Sequence, residues 1–275
     1  MNKILLTAAL ALALVPSAHA QAAASSGPLG NLTVSGIMDY ESQYVFRGKK
    51  VTNSAFQPSV NLAYPVSDGT LNAYLWTSQP IGNNTAGPTF TNEIDIGTFY
   101  DHAIPGVDNL TGEVGFQMYW YPDVVGLSRS YEFHIGAMYD TTSLSDSKIN
   151  LNPTVMLYHD VILDSNTITG AIHYTFDLSD SVTKGLSITP TGTLGYTSIG
   201  RFGGDTGGPQ WNNGFTYWQL DVEMDYVLNT STTLYLGAHY VGNNDGSTNG
   251  FGGGNPQAPG TDSSLWLSLG VKFNM

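Results

Sequence analysis

The carboxyl-terminal stretch Ser264-Leu-Trp-Leu-Ser-Leu-Gly-Val-Lys-Phe-Asn-Met275 alternates strictly between two kinds of side chain. One parity is apolar and comprises Leu265, Leu267, Leu269, Val271, Phe273 and Met275, whereas the other comprises Trp266, Ser268, Gly270, Lys272 and Asn274. A period of two places the two sets on opposite faces of a β-strand. The stretch therefore predicts a strand with one apolar and one wetter face, which is typical of the closing strand of an outer-membrane β-barrel.

Segments of the same kind recur along the chain, separated by residues that favour turns. Twelve of them lie near 32–46, 54–66, 69–79, 91–102, 110–121, 130–141, 151–162, 167–178, 186–197, 215–227, 232–241 and 264–274. Their lengths approach the roughly 9–11 residues that cross a bilayer when tilted and exceed the about 5–6 of ordinary strands. We therefore predict an all-β fold, a transmembrane antiparallel β-barrel of twelve strands.

The first 20 residues have the features of a secretory signal peptide. Lys3 precedes an apolar run over 4–15, and Ala18-His-Ala20 forms an A-x-A cleavage site. The run is shorter than the roughly 20 apolar residues of a transmembrane helix. We expect a signal peptide at 1–20 and an outer-membrane barrel domain at 21–275, exported in a Gram-negative cell.

Composition narrows the range of partners. The chain has no cysteine, which excludes disulfides and thiolate metal sites. Acids number 22 against 9 bases, and loss of Lys3 with the signal peptide leaves a net charge of −14, so we expect no nucleic-acid partner. Charged residues make up only 11% of the chain, below the about 25% of soluble domains. The expected partners are outer-membrane lipid and, during biogenesis, the barrel-assembly machinery; the oligomeric state stays open.

The connections between the predicted strands alternate in length. If the amino terminus starts in the periplasm, even-numbered turns are expected to be short and odd-numbered loops longer. The even ones, near 67–68, 103–109, 142–150, 179–185 and 228–231, are compact, whereas 80–90, 198–214 and 242–263 are long and rich in Gly and Asn. The short connection at 163–166 is the exception.

Aromatic residues of the outward parity concentrate near strand ends. They are Tyr64, Tyr100, Trp120, Tyr131, Tyr139, Trp218, Tyr226 and Tyr240. Such rings form girdles at the two membrane interfaces. The alternative is the general preference of strands for aromatic residues.

Twelve strands fall between the filled interior of an eight-stranded barrel and the wide channel of 16–18 strands. We therefore expect a narrow pore that inward-folded loops constrict. The inward parity is rich in acids, at Glu93, Asp95, Asp101, Glu113, Glu132, Asp140, Asp177, Asp221, Glu223 and Asp225. The pore-lining candidates are Arg47, Glu93, Asp95, Glu113, Glu132, Asp177, Asp221 and Glu223.

Acids that line a pore attract cations, so one hypothesis is a cation-preferring lumen. Two alternatives stay open. The acids face water at the mouth or pair with the few bases, or Arg47, Lys49 and Lys50 line the same constriction. A salt-gradient reversal potential separates these interpretations.

No catalytic, metal or cofactor site is expected. The mature histidines, His102, His134, His159, His173 and His239, match no metal-ligand spacing. No nucleophile elbow is present, since Thr197-Ser-Ile-Gly200 is ordinary strand-end sequence. The glycine-rich runs at 203–208 and 250–254 lack the helix and Lys-Ser/Thr of a phosphate loop.

Several short motifs carry a family resemblance. Val34-Ser-Gly-Ile-Met-Asp-Tyr-Glu-Ser-Gln-Tyr-Val-Phe-Arg-Gly48, Gln57-Pro-Ser-Val-Asn-Leu-Ala-Tyr64, Glu93-Ile-Asp-Ile-Gly97 and Tyr119-Trp-Tyr-Pro122 before Tyr131-Glu-Phe133 are the matching stretches. The chain resembles the TorF-type porins of proteobacteria over about residues 32–200. The matching positions carried over are Arg47, Gly48, Glu93, Asp95, Tyr121, Pro122 and Glu132. The resemblance implies an outer-membrane channel, without identifying its solute. In an acidic lumen, Arg47 is expected to form a buried ion pair with a structural role.

The sequence thus favours an outer-membrane porin, a passive channel for small hydrophilic solutes. One alternative is a structural or surface-interaction barrel with a plugged lumen, and another is a secreted β-sandwich. Met275 stands where the barrel assembly signal usually ends in an aromatic residue, and a flexible apolar side chain fits the same position.

Overall fold

The computed structural model describes residues 30–81, 92–122, 128–141, 151–198, 214–244 and 263–275. The predicted signal peptide at 1–20, the glycine-rich runs at 203–208 and 250–254 and most of the long predicted loops lie outside these ranges. Within the described residues, no helix is long and apolar enough to cross a membrane.

The described part of the chain is built from β-strands. They are β1 (Thr33–Glu41), β2 (Tyr44–Phe46), β3 (Lys49–Thr52), β4 (Ser54–Phe56), β5 (Ser59–Val66), β6 (Gly69–Ile81), β7 (Glu93–Ala103), β8 (Leu110–Trp120), β9 (Arg129–Tyr139), β10 (Thr154–Asp160), β11 (Ser165–His173), β12 (Phe176–Asp177), β13 (Leu186–Thr197), β14 (Phe215–Asn229), β15 (Thr232–Asn243) and β16 (Ser263–Asn274).

These strands form a closed antiparallel barrel with twelve strand positions in its wall, here called staves. The short strands β4 and β5 together make the second stave, and β11 with β12 makes the eighth; β2 and β3 pair only with each other. The ring closes where β1 pairs with β16, from Ser35 opposite Asn274 to Glu41 opposite Ser268. The prediction of an all-β, twelve-stranded barrel is confirmed.

The two faces of the wall differ as the period of two predicts. On the closing strand, Leu265 is 64% exposed while Ser268 is 1% exposed. Exposed apolar side chains of the same outward parity continue around the ring, among them Leu62, Leu75, Ile96, Val114, Ile135, Leu157, Ile168, Leu194, Leu220 and Leu236. A water-soluble monomer rarely exposes apolar patches above a few hundred Å², so this outer face suits lipid.

The two ends of the barrel are distinct. One end of the barrel is here named the turn end. It contains the start of β1, the end of β16 and the short connections 67–68, 104–109 and 230–231. The opposite end is named the loop end. Of the outward aromatics, Tyr64, Tyr100, Tyr139 and Tyr226 lie toward the turn end, and Trp120, Tyr131, Trp218 and Tyr240 toward the loop end. Each end of the barrel therefore carries a group of outward aromatic residues, as the girdle interpretation expects.

Each of the first two predicted strands, 32–46 and 54–66, is interrupted. The first stave ends at Glu41, and the sequence from Tyr44 onward forms a separate hairpin instead of extending the predicted strand 32–46. The second stave breaks at 57–58, where Pro58 has no N–H to donate to a ladder. Pro65 stays within β5, opposite Thr70.

Candidate pore interior and its inward-folded hairpin

The strands β2 and β3 form a hairpin, here called the inner hairpin (44–52), that folds into the barrel. Its turn residues Arg47 and Gly48 both have positive φ, 41° and 79°. Two consecutive residues with positive φ are characteristic of the type I′ turn of tight hairpins. Glycine adopts this conformation at little cost, whereas arginine does so only where its surroundings hold it.

Apolar side chains of the inner hairpin pack against widely separated parts of the wall. The ring of Tyr44 packs against Trp76 of β6 at an interplanar angle of 57°, with ring centroids 5.6 Å apart. The remaining apolar contacts are Phe46 in the cluster with Ala55 and Leu163, Val51 against Tyr119 and Tyr121, and Val45 with Val241 and Trp266. The inner hairpin therefore reaches across the lumen from β6 and β8 on one side to β15 and β16 on the other.

The side chain of Arg47 is held by a carboxylate of the wall. Its two terminal nitrogens donate to the two carboxylate oxygens of Glu132 on β9, each at 2.8 Å. Arg47 is 8% exposed and Glu132 is fully buried. The guanidinium also lies over the rings of Phe46 and Tyr158, 4.6 and 4.5 Å from their centroids. Bidentate charge-assisted bonds and stacked rings together fix the position of the hairpin tip.

Further hydrogen bonds satisfy the same carboxylate. The amide of Gln117 and the hydroxyl of Tyr119 each donate to Glu132 Oε1 at 2.7 Å. Gln117 in turn accepts a hydrogen bond from Tyr74 and donates to Tyr119. A buried ion pair is tolerated when such bonds satisfy its remaining lone pairs. The expected structural ion pair of Arg47 is therefore present.

The tip also contacts the opposite wall. Asn243 Nδ2 on β15 donates to the carbonyl oxygen of Gly48 at 2.7 Å. The ammonium of Lys49 lies 4.8 Å from the ring centroid of Phe215 on β14. A Cβ on Gly48 would lie 2.5 Å from Cβ of Tyr217. Only glycine fits between the turn and this wall.

A second polar network lies nearer the turn end. Lys272 on the closing strand donates to Glu223 at 2.5 Å and to Asp225 at 2.9 Å. His239 contacts Asp221 at 2.7 Å and Ser268 at 2.8 Å. Other polar pairs that point inward are Tyr235 with Asp39 at 2.6 Å and His134 with Glu113 at 3.0 Å. Acidic side chains and their partners thus line the interior on the turn-end side of the inner hairpin.

The predicted pore-lining residues occupy different parts of the interior. Arg47 and Glu132 meet in the inner hairpin network, and Glu93 and Asp95 are buried together on β7. Glu113 pairs with His134, while Asp221 and Glu223 belong to the turn-end network. The interior therefore holds seven of the eight candidates.

Asp177 is placed differently from the sequence expectation. The eighth stave is interrupted after His173, and Asp177 lies on the two-residue strand β12 with its side chain exposed. Hydrogen bonds from the hydroxyl and backbone N–H of Ser179 lower the pKa of Asp177. Asp177 is in register with Ser187 and, across β13, with Asp225, so it has the inward parity. It lies at the rim, however, where the carboxylate begins a turn and is exposed to solvent.

Several residues of the interior are not among the predicted pore-lining residues. Gln117, Tyr119, Tyr158 and Asn243 surround the hairpin tip, and Lys272 is the cation of the turn-end network. Gln117, Tyr119, Tyr158 and Lys272 lie on the inward parity of predicted strands, whereas Asn243 lies in the predicted loop 242–263, because β15 extends two residues beyond the predicted strand. Among the described residues, no group of three or more histidines and carboxylates is arranged to hold a metal ion.

A closed ring of twelve antiparallel strands, apolar outside and polar inside, defines an outer-membrane type of β-barrel. Solved structures of similar fold include the COG4313 outer membrane channel from Pseudomonas putida F1 (10% identity, 88% of this chain and 95% of that chain, TM-score 0.50). LpxR from Salmonella typhimurium is also similar (10% identity, 87% of this chain and 99% of that chain, TM-score 0.50). The KdgM porin aligns with 88% of this chain and 98% of its own, at 11% identity and a TM-score of 0.46.

No protein-family model and no curated protein matches the sequence. At such low identity the structural likeness establishes the fold alone. The resemblance to TorF-type porins stays a prediction.

Proposed function

We propose that this protein is a porin-type channel of the outer membrane, a passive and non-enzymatic route for small hydrophilic solutes. The observation that supports this most directly is the division of the barrel wall. Apolar side chains cover its outside, while carboxylates, amides and hydroxyls point inside. A polar interior in a lipid-facing barrel suits hydrated solutes.

The lumen is narrow. The inner hairpin occupies much of the cross-section at its own level, so a solute must pass beside it. The ring of twelve strands is also smaller than that of the wide porins with 16–18 strands. Both features restrict the proposed traffic to small solutes.

The channel is proposed to prefer cations. In the turn-end network, Asp221, Glu223 and Asp225 face a single described cation, Lys272. At the level of the inner hairpin, Arg47 is neutralised by Glu132, so its charge does not oppose the carboxylates of the turn-end network. Negative side chains along a narrow tube attract cations and repel anions.

Single-channel recording in a planar bilayer tests this function. The refolded full-length protein, placed between unequal KCl solutions, is expected to show discrete conductance steps. Its reversal potential should be shifted toward the equilibrium potential of K⁺. Conductance steps with a reversal potential shifted toward the equilibrium potential of Cl⁻ would contradict the cation preference but not the channel function.

The inner hairpin favours one other candidate function, a structural or surface barrel with a plugged lumen. Its contacts extend to β6, β8, β9, β14, β15 and β16, which is more than a local constriction requires. A variant with residues 44–52 replaced by a short Gly/Ser turn separates the two functions. Steps in the variant alone identify a plug, whereas steps in both proteins identify a constricted channel.

A further inference from the structure

The outer surface of the barrel wall has a groove of about 570 Å³ that runs across the strands from β8 to β13. Its apolar lining includes a row of cross-strand neighbours, namely Val114, Ile135, Leu157, Ile168 and Tyr196. All five have the outward parity and are exposed. The volume lies within the range of pockets that hold ligands, so this part of the lipid-facing surface is shaped to receive a specific group.

The side of the groove toward the loop end is polar. His159 Nδ1 of β10 and Asn166 Oδ1 of β11 lie 3.0 Å apart, and both side chains are exposed on the outward face. Within the described ranges, the second ring nitrogen of His159 and the amide nitrogen of Asn166 have no hydrogen-bond partner. The pair can therefore bond a polar group that enters from the membrane.

A charged side chain lies beyond this pair at the loop end. Arg129 begins β9, opposite Trp120 of β8, and is exposed. In the described staves it is the only Asp, Glu, Lys or Arg with the outward parity, and it has no ion pair with another described residue. A guanidinium at the membrane interface costs little and can bind a phosphate through two parallel hydrogen bonds.

Aromatic rings connect Arg129 to the groove. Tyr131 and Phe133 are the next two outward residues of β9. The ring centroid of Phe116 on β8 lies 6.1 Å from that of Tyr131 and 5.1 Å from that of Phe133, which lines the groove. The four residues from Arg129 to Phe133 span about 13 Å along the strand. A cation, a polar pair and an apolar groove thus follow one another from the loop end toward the membrane interior.

We propose that this surface binds lipopolysaccharide, with a phosphate group at Arg129 and an acyl chain in the groove. The short turns of outer-membrane barrels lie in the periplasm, so the loop end faces the outer leaflet, where lipopolysaccharide is the phosphorylated lipid. Charge favours this occupant over a second copy of the chain. The described staves have no outward carboxylate that could pair with Arg129, whereas a lipid phosphate is its natural counter-ion.

This site goes beyond the proposed channel function. It rests on the outer-membrane location and not on conduction, because the groove lies outside the barrel. A plugged barrel would bind the lipid as well as a conducting one, so the binding test and the conductance recording fail independently.

The test compares the full-length wild type with two pairs of variants, each refolded in detergent and shown to be folded by heat-modifiable gel migration. R129Q removes the outward cation, and K184Q removes the same charge from an exposed turn at the turn end. L157W fills the groove, and L220W makes the same change at an exposed position of β14 outside it. Native mass spectrometry measures the binding of rough-type lipopolysaccharide, of the same lipid with its phosphates removed, and of phosphatidylglycerol.

Wild type, K184Q and L220W are expected to bind one lipopolysaccharide per barrel with equal affinity. R129Q should bind at least about tenfold more weakly, because a hydrogen bond to a charged group is worth that factor or more. L157W should also bind more weakly, since its indole occupies the groove. Removal of the lipid phosphates should weaken binding to wild type and leave binding to R129Q unchanged.

Equal affinities of wild type and R129Q, or of L157W and L220W, would overturn the proposal. Binding of phosphatidylglycerol as tight as that of lipopolysaccharide would overturn the assignment of the lipid. A dimer in lipid-free detergent that R129Q and L157W abolish would identify a second copy as the occupant instead. The comparison of the two lipopolysaccharides uses wild type alone, so it decides the role of the phosphate even if a variant does not fold.

Discussion

Arg47 and Glu132 are 85 residues apart in sequence, yet their side chains meet in a fork of two 2.8 Å hydrogen bonds inside the barrel. One partner belongs to the turn of the inner hairpin and the other to the barrel wall. The pair therefore joins the only folded-in segment among the described residues to the ring that surrounds it. It also places a strained turn residue, with φ of 41°, in its observed conformation.

Removal of either partner is expected to destabilise the protein strongly. R47M leaves the buried carboxylate of Glu132 without its counter-ion, and E132Q leaves the guanidinium without its own. Each should lower the free energy of unfolding by about 3–5 kcal/mol, as for other broken buried pairs. Urea unfolding in detergent, followed by tryptophan fluorescence, measures the change.

The double variant R47M/E132Q provides the control for this prediction. Because neither charge then remains buried alone, its loss should be clearly smaller than the sum of the two single losses. Additive losses would show that the two side chains do not act as a pair.

Gly48 is expected to tolerate alanine less well than another glycine of similar backbone conformation. Gly48 and Gly106 have φ of 79° and 81°, but a Cβ on Gly48 meets Tyr217 at 2.5 Å while a Cβ on Gly106 meets nothing within 4 Å. G106A should cost about 1–2 kcal/mol, the backbone term alone. G48A should cost about 1–3 kcal/mol more because of crowding. Equal costs in urea unfolding would mean that the tip is not held against β14.

The period of two in the sequence was enough to predict the barrel but not the inner hairpin. On staves such as β16, one face meets lipid and the other the lumen, so side chains alternate and the strand is evident. Residues 44–49 are buried on both faces, which removes the alternation. For this reason the sequence predicts one strand over 32–46 and does not separate the start of the inner hairpin from it.

The partner of Arg47 could not be selected from the sequence either. Parity places Glu93, Asp95, Glu113 and Glu132 on the same inward face, and all are acids. Which one meets the guanidinium depends on the depth and tilt of the inner hairpin, and these follow from packing of Tyr44 and Val51 against the wall. Parity predicted the set of candidates, and tertiary contacts selected the pair.

Gly97 is expected to be essential for the hydrogen-bond network around Glu132. The ring of Tyr74 crosses over Gly97 to reach Gln117, and a Cβ at this position would lie 2.3 Å from Tyr74 Cε1. G97A should displace that ring and cost about 1–3 kcal/mol. G170A is the control, since a Cβ there meets only Thr154 O at 4.0 Å, and should be neutral or slightly stabilising. A neutral G97A in the same unfolding assay would contradict this role of Tyr74.

Lys272 is expected to limit the cation preference of the proposed channel. Its ammonium lies 2.5 Å from Glu223 and 2.9 Å from Asp225, and therefore offsets part of the negative charge along the turn-end interior. K272Q should leave both carboxylates uncompensated and shift the reversal potential in a KCl gradient further toward K⁺ selectivity, most clearly at low salt, where screening is weak. K184Q removes the same charge from an exposed turn and should leave the reversal potential unchanged. An equal shift in the two variants would mean that net charge, and not the lining of the interior, sets the selectivity. A shift toward Cl⁻ in K272Q alone would contradict the assignment of Glu223 and Asp225 to the conduction path.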